Sequence, residues 1–131
     1  MPSGRRRVGG SDVLLIERAS ALIEELGAEL DMQLRTEGRE GERLRLLRAT
    51  TNRITRTAND AIHAYGRARR AIDAAIERDD ANRADALAMR RRLQVARKQL
   101  LGTLAVASER YPASDDAAAD PTVPDRAEDA T

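Results

Sequence analysis

His63 is the only histidine in this chain, and cysteine is absent. Any metal centre or nucleophilic triad would have to be built around that one imidazole. Helical bundles that hold paired metals use Glu-x-x-His from two different helices; here the nearest pattern, Asp60-x-x-His63, occurs once. With no thiolate and no second imidazole, a tetrahedral zinc site lacks ligands as well. Ser108 and Ser114 have no histidine placed to take a proton from them, which removes a hydrolase triad. Glu24, Glu25 and Glu29 fall on the outer side of a helix, where acids form a solvated face, and no second catalytic group accompanies them. No glycine-rich loop follows a strand, so there is no nucleotide fingerprint. These residues predict a non-enzymatic chain with no cofactor, no metal and no small-molecule substrate.

The elements that would position such residues are easier to read than any chemistry. Leu44, Leu47, Thr51, Ile54, Ala58, Ala61, Tyr65, Ala68, Ile72 and Ala75 follow an unbroken 3-4 alternation, which is a coiled-coil seam on one long helix. Four of those ten knobs are alanine, so a partner helix must approach closely and supply the bulk. Two tyrosines are the whole aromatic content. A core of aliphatic residues and alanine suits helix-on-helix packing better than a sandwich or barrel.

Boundaries follow from breakers and caps. Residues 1–10 read as a disordered basic arm, with Arg5, Arg6 and Arg7 ahead of Gly9 and Gly10. Ser11 can cap a first helix over about 12–35, with Asp12 at the positive end of its dipole. Its apolar stripe is Leu15, Ile16, Ala19, Leu22, Ile23, Leu26, Leu30 and Leu34. A connector over 36–41 carries two glycines. The second helix covers about 42–78, and Asn82, with Asp85 three residues on, caps a third over about 82–111. That helix has its own seam, Ala86, Met89, Leu93, Ala96, Leu100, Thr103 and Ala107, and Pro112 ends it. Residues 112–131 hold three prolines, six acids and almost no aliphatic bulk, which predicts a disordered acidic tail. The helical domain is thus 11–111.

A turn at 79–82 makes helices two and three an antiparallel hairpin. Ala75 then faces Ala86, Ile72 faces Met89, Ala68 faces Leu93, Tyr65 faces Ala96, Ala61 faces Leu100 and Ile54 faces Ala107. Four of these layers set a large residue against alanine, as close packing requires. Folding helix one back brings Leu30 to Leu47, Ile23 to Ile54 and Ile16 to Ala61. It then covers helix two only as far as Tyr65, and residues 66–95 project as a two-helix arm. The expected architecture is all-α: a three-helix bundle built on a long antiparallel coiled-coil hairpin, with a shorter first helix.

Charge is arranged in blocks. Residues 11–37 hold seven acids and two arginines, and residues 38–78 hold ten arginines and five acids. Acidic helix one packed beside basic helix two would compensate both. The projecting arm supplies the candidate interaction surface: Ile62, Ile76 and Leu87, off the seams, with Arg67, Arg69, Arg70, Arg78, Arg90, Arg91 and Arg92. Such a surface fits a homo-oligomer or another helical protein, in an adaptor, scaffold or chaperone-like role. The alternative is an arginine-lined arm that contacts nucleic-acid phosphates without reading sequence; near-absence of aromatics for base stacking disfavours it. No apolar run approaches the roughly 18–20 residues of a membrane span, and no apolar stretch follows the N-terminal arginines as a signal peptide would require. A cytoplasmic location is expected.

One short pattern points elsewhere. Tyr111-Pro112-Ala113-Ser114-Asp115 places an acid four residues after a tyrosine, directly behind a helical hairpin. It resembles the Y-x-x-x-D/E export signal of small helical-hairpin proteins secreted by actinobacterial type VII systems. The resemblance implies export, and it covers five residues and the hairpin shape. The turn here is Asp79-Asp80-Ala81-Asn82, where those proteins carry Trp-x-Gly. Read from packing alone, Tyr111 is a terminal core residue beside Thr50 and Leu104.

Overall fold

The computed structural model describes residues 8–78 and 83–111. It contains three helices, α1 (Gly10–Thr36), α2 (Glu40–Arg78) and α3 (Arg83–Arg110), and no strand among the described residues. The expected turn at 79–82, the cap at Asn82, the arginines of the basic arm and the acidic tail lie outside the described residues. α2 is the spine. Its 39 residues span roughly 58 Å at 1.5 Å per residue, and both other helices pack along it.

The N-terminus of α1 is set by Gly9 rather than Ser11. Gly9 has φ 72°, a conformation that costs a residue with a Cβ about 1–2 kcal/mol. Its carbonyl accepts the first helical bond from the Val13 N–H at 2.9 Å. A side chain there would also meet Ile72 at 3.3 Å. Ser11 is therefore pushed into the first turn, where it is exposed. Val8 packs against the core, so the last residues of the expected arm belong to the bundle.

Only Glu37, Gly38 and Arg39 separate α1 from α2. The connector is shorter than its two glycines imply, because Arg43 reaches back across it. The Arg43 Nη1 donates to the Leu34 and Glu37 carbonyls at 2.6 and 2.9 Å, satisfying acceptors that the end of α1 leaves open. Arg39 pairs with Glu37 through both its backbone N–H and its guanidinium. Glu40 and Glu42 then sit in the first turn of α2, where the helix dipole favours acids.

α1 reaches further than Tyr65. Gly9 lies against Ile72, Asp12 pairs with Arg67, and Val13 and Ile16 are fully buried. The base of the expected arm, up to Ile72 on α2 and Arg92 on α3, is therefore covered, because α1 begins two residues early. At the other end the seam loses cover. Leu44 is exposed, and Leu47 and Thr51 are half-buried. Tyr111, the last described residue of the α3 side, lines a cleft with Thr51, so nothing of α3 reaches Leu44.

Five of the seven buried residues of α2 are alanine. Ala61, Ala64, Ala68 and Ala75 are fully sealed, and the bulk around them comes from Val13, Ile16 and Ile23 of α1 and Met89, Leu93 and Leu100 of α3. Arg97 lies over the Tyr65 ring at 5.6 Å, and the Arg83 guanidinium donates to the Ile76 carbonyl, so numbers rise along α3 as they fall along α2. If Ala61 faces Leu100 in one layer, Ala61→Leu sets two leucines against each other. Overpacking then costs about 1–3 kcal/mol, read by thermal denaturation. An unchanged melting temperature would refute that pairing.

Candidate interaction surface

α1 is clamped to the other two helices by three of its acids. Asp12 accepts from Arg67 of α2 at 3.0 Å. Glu17 takes a bidentate pair from Arg92 of α3, at 2.8 and 2.7 Å. Asp31 pairs with Arg110, close to the end of α3. Because the α3 partners rise in number with the α1 acids, α1 and α3 run side by side in the same direction. Exposed pairs of this kind contribute a few tenths of a kcal/mol each, so they orient α1 more than they hold it.

The Arg92 hydrogen bonds, opposed in part by burial and aided by the arginine's charge, hold the Glu17 carboxyl below its ordinary value near 4.5. A depressed carboxylate stabilises the fold above its unfolded value, and that stability is lost as pH falls through the folded one. Stability should therefore drop on acidification below about pH 4.5, and Arg92→Met should make the drop shallower. An identical acid limb in the variant would show that the pair carries no linkage.

These clamps reassign part of the expected surface. Arg67 and Arg92 are held by α1, and Arg69 leans toward Asp73 one turn on. Ile76 packs against the core and Leu87 is half-buried. Ile62 is exposed at 56%, as are Arg70, Arg78, Arg90 and Arg91. The exposed members of the set are thus Ile62, Arg70 and Arg78 on α2 and Arg90 and Arg91 on α3. His63 and Asp60 are exposed, and no group of three potential metal ligands occurs among the described residues. No helix is long and apolar enough to cross a membrane.

Tyr111 is buried, but its partner is α1. Its hydroxyl lies 2.9 Å from the Gly27 carbonyl oxygen and 3.1 Å from Asp31 Oδ1. Burial, reinforced by Asp31, raises its pKa above the ordinary value of 10. The tyrosine of the export-like pattern is therefore engaged in the fold, while Asp115 lies outside the described residues.

The apolar surface that sequence reasoning misplaced is on α1. Leu15 and Leu22, expected in the core stripe, are 37% exposed; Leu14 is 38% and Met32 64% exposed. The signal was present: Leu14, Leu15 and Ile16 are consecutive, and a helix apolar on more than one stripe cannot bury all of it against two neighbours. A shallow groove of roughly 720 Å³ also runs between α1 and α3, floored by small residues such as Ala21, Gly27, Ala28 and Gly102. No protein-family model, no curated protein and no solved structure matches this chain.

Proposed function

We propose that this chain is a non-catalytic helical interaction module, an adaptor or scaffold that self-associates through helix packing. The observation that supports this reading is the solvent side of α1, where Met32 is largely exposed and Leu14, Leu15 and Leu22 each leave more than a third of their surface in solvent. Four large aliphatics on one 27-residue helix are more than solitary surface residues need explain, and exposed apolar surface of this kind marks interaction sites. The nucleic-acid reading loses support from the geometry, since Arg67 and Arg92 spend their charge on α1.

Sedimentation equilibrium tests the proposal. The weight-average mass should rise from monomer with concentration over a range reaching about 100 µM, as a micromolar association requires. A strict monomer across that range would overturn self-association. Binding to a labelled duplex that collapses between about 50 and 200 mM salt would instead favour phosphate contacts.

A further inference from the structure

We infer that the partner is a second copy of this chain, docked α1 against α1 in antiparallel orientation about a two-fold axis between Leu22 and Glu25. The inference deepens the self-association reading and rests on it. Six residues run along the outer face of α1 at 3-4 spacing: Leu15, Arg18, Leu22, Glu25, Glu29 and Met32. All six are exposed, while Ile16, Ala19, Ile23, Leu26 and Leu30 on the adjoining face are buried. The face is therefore a second seam, running beside the core one and sharing its edge at Leu15 and Leu22.

That seam reads the same in both directions. The intervals 3, 4, 3, 4, 3 are symmetric about their centre, so an antiparallel copy superimposes its knobs on the same levels. Leu15 then meets Met32 of the partner subunit at both ends, joining apolar side chains. Arg18 meets Glu29 of the partner subunit, twice over by symmetry. Leu22 meets Glu25 of the partner subunit, so the two leucines and the two glutamates flank the axis, the glutamates at the solvent-exposed edge of the layer.

Charge selects this orientation. A parallel, in-register pair would set Arg18 on Arg18 and repeat the clash at Glu25 and at Glu29, and like charges directly opposed penalise a pairing. Arg18, Glu25 and Glu29 have no ion-pair partner among the described residues. The acids on the flanks of α1, Asp12, Glu17 and Asp31, are already paired with arginines of α2 and α3, which lowers the repulsion between two acidic helices. The two intramolecular helices and the two docked α1 helices thus use separate faces, so docking needs no rearrangement of the bundle. From Leu15 to Met32 the contact is roughly 26 Å long, which suits a weak, reversible dimer below the standard interface size.

Because the chain has no cysteine, single cysteines can map the geometry. Under mild oxidation Leu22→Cys should give a disulfide-linked dimer. Leu15→Cys alone should not, although an equimolar mixture of Leu15→Cys and Met32→Cys should. Equal crosslinking of Leu15→Cys and Leu22→Cys would overturn the antiparallel arrangement. In sedimentation equilibrium, Arg18→Glu should weaken association about tenfold or more, through two reversed pairs. Glu29→Arg should do the same, and Arg18→Glu with Glu29→Arg should restore it. Every one of these positions is exposed, so helical circular dichroism should not change. Dimerisation untouched by Arg18→Glu would overturn this interface while leaving self-association standing; a wild-type chain that never dimerises would remove both.

Discussion

Ile16→Ala should lower stability by about 2–5 kcal/mol, or on the order of 10–30 °C in melting temperature for a domain of this size. Ile16 is fully buried, at the level where α1 bridges α2 and α3. The alanines of α2 cannot swing into the vacated space, because a methyl group has no rotamer to change, so only the larger side chains of the same cluster can adjust. Part of the cavity should therefore persist, and the cost should fall within that range. Leu15→Ala, one residue earlier, should change the melting temperature of the monomer little, since that side chain already meets water. Measured by thermal denaturation at low concentration, similar losses for the two variants would refute the assignment of α1's inner and outer faces.

Gly27→Ala should destabilise although alanine is the better helix former. The propensity gain is about 1 kcal/mol. Against it, the new Cβ would stand 2.9 Å from the Tyr111 hydroxyl and 3.4 Å from its ring. That ring is buried and its hydroxyl is fixed by the Gly27 carbonyl and Asp31, so it cannot yield cheaply. Overpacking of about 1–3 kcal/mol outweighs the gain. Tyr111→Phe alone should cost about 0.5–1.5 kcal/mol for the lost hydrogen bond, and it removes the clashing oxygen. In that background Gly27→Ala should become neutral or stabilising. Additive effects in the double-mutant cycle would show that Gly27 and Tyr111 are not in contact. Tyr111 also predicts an alkaline limb. A raised pKa means stability present below the ordinary value near 10 and lost as pH climbs through the folded one, and Tyr111→Phe should blunt that loss.

The sequence showed where the helices lie because periodicity and breakers act locally. Ile54, Ala58, Ala61, Ala68, Ile72 and Ala75 on α2, and Ala86, Met89, Leu93, Ala96 and Leu100 on α3, are buried as their 3-4 spacing predicts. What stayed hidden depends on distances across the fold. Leu44 belongs to the seam by spacing, yet α3 ends too early to cover it. Leu15 and Ile16 differ in burial because of where two neighbours sit, which no window on α1 alone contains. Ser11 is a good cap by type, but the left-handed Gly9 starts the helix first. The arginines were visible as a block; that Arg67 and Arg92 face acids on α1 required the third helix in place.

The alanine column of α2 divides the tolerance of this bundle to change. A buried alanine surrenders no side-chain conformational freedom on folding, so the spine is ordered at little entropic cost and has nothing to rearrange. Enlargement is what it resists: nearly any residue at Ala61, Ala64, Ala68 or Ala75 is too big, whereas α1 and α3, which carry the large side chains, suffer from trimming instead. Drift in this chain should accordingly be one-sided, with α2 fixed in size at its buried positions. The outer face of α1, free of both constraints, can exchange residues without touching the fold, and recognition can diverge there while the bundle stays the same.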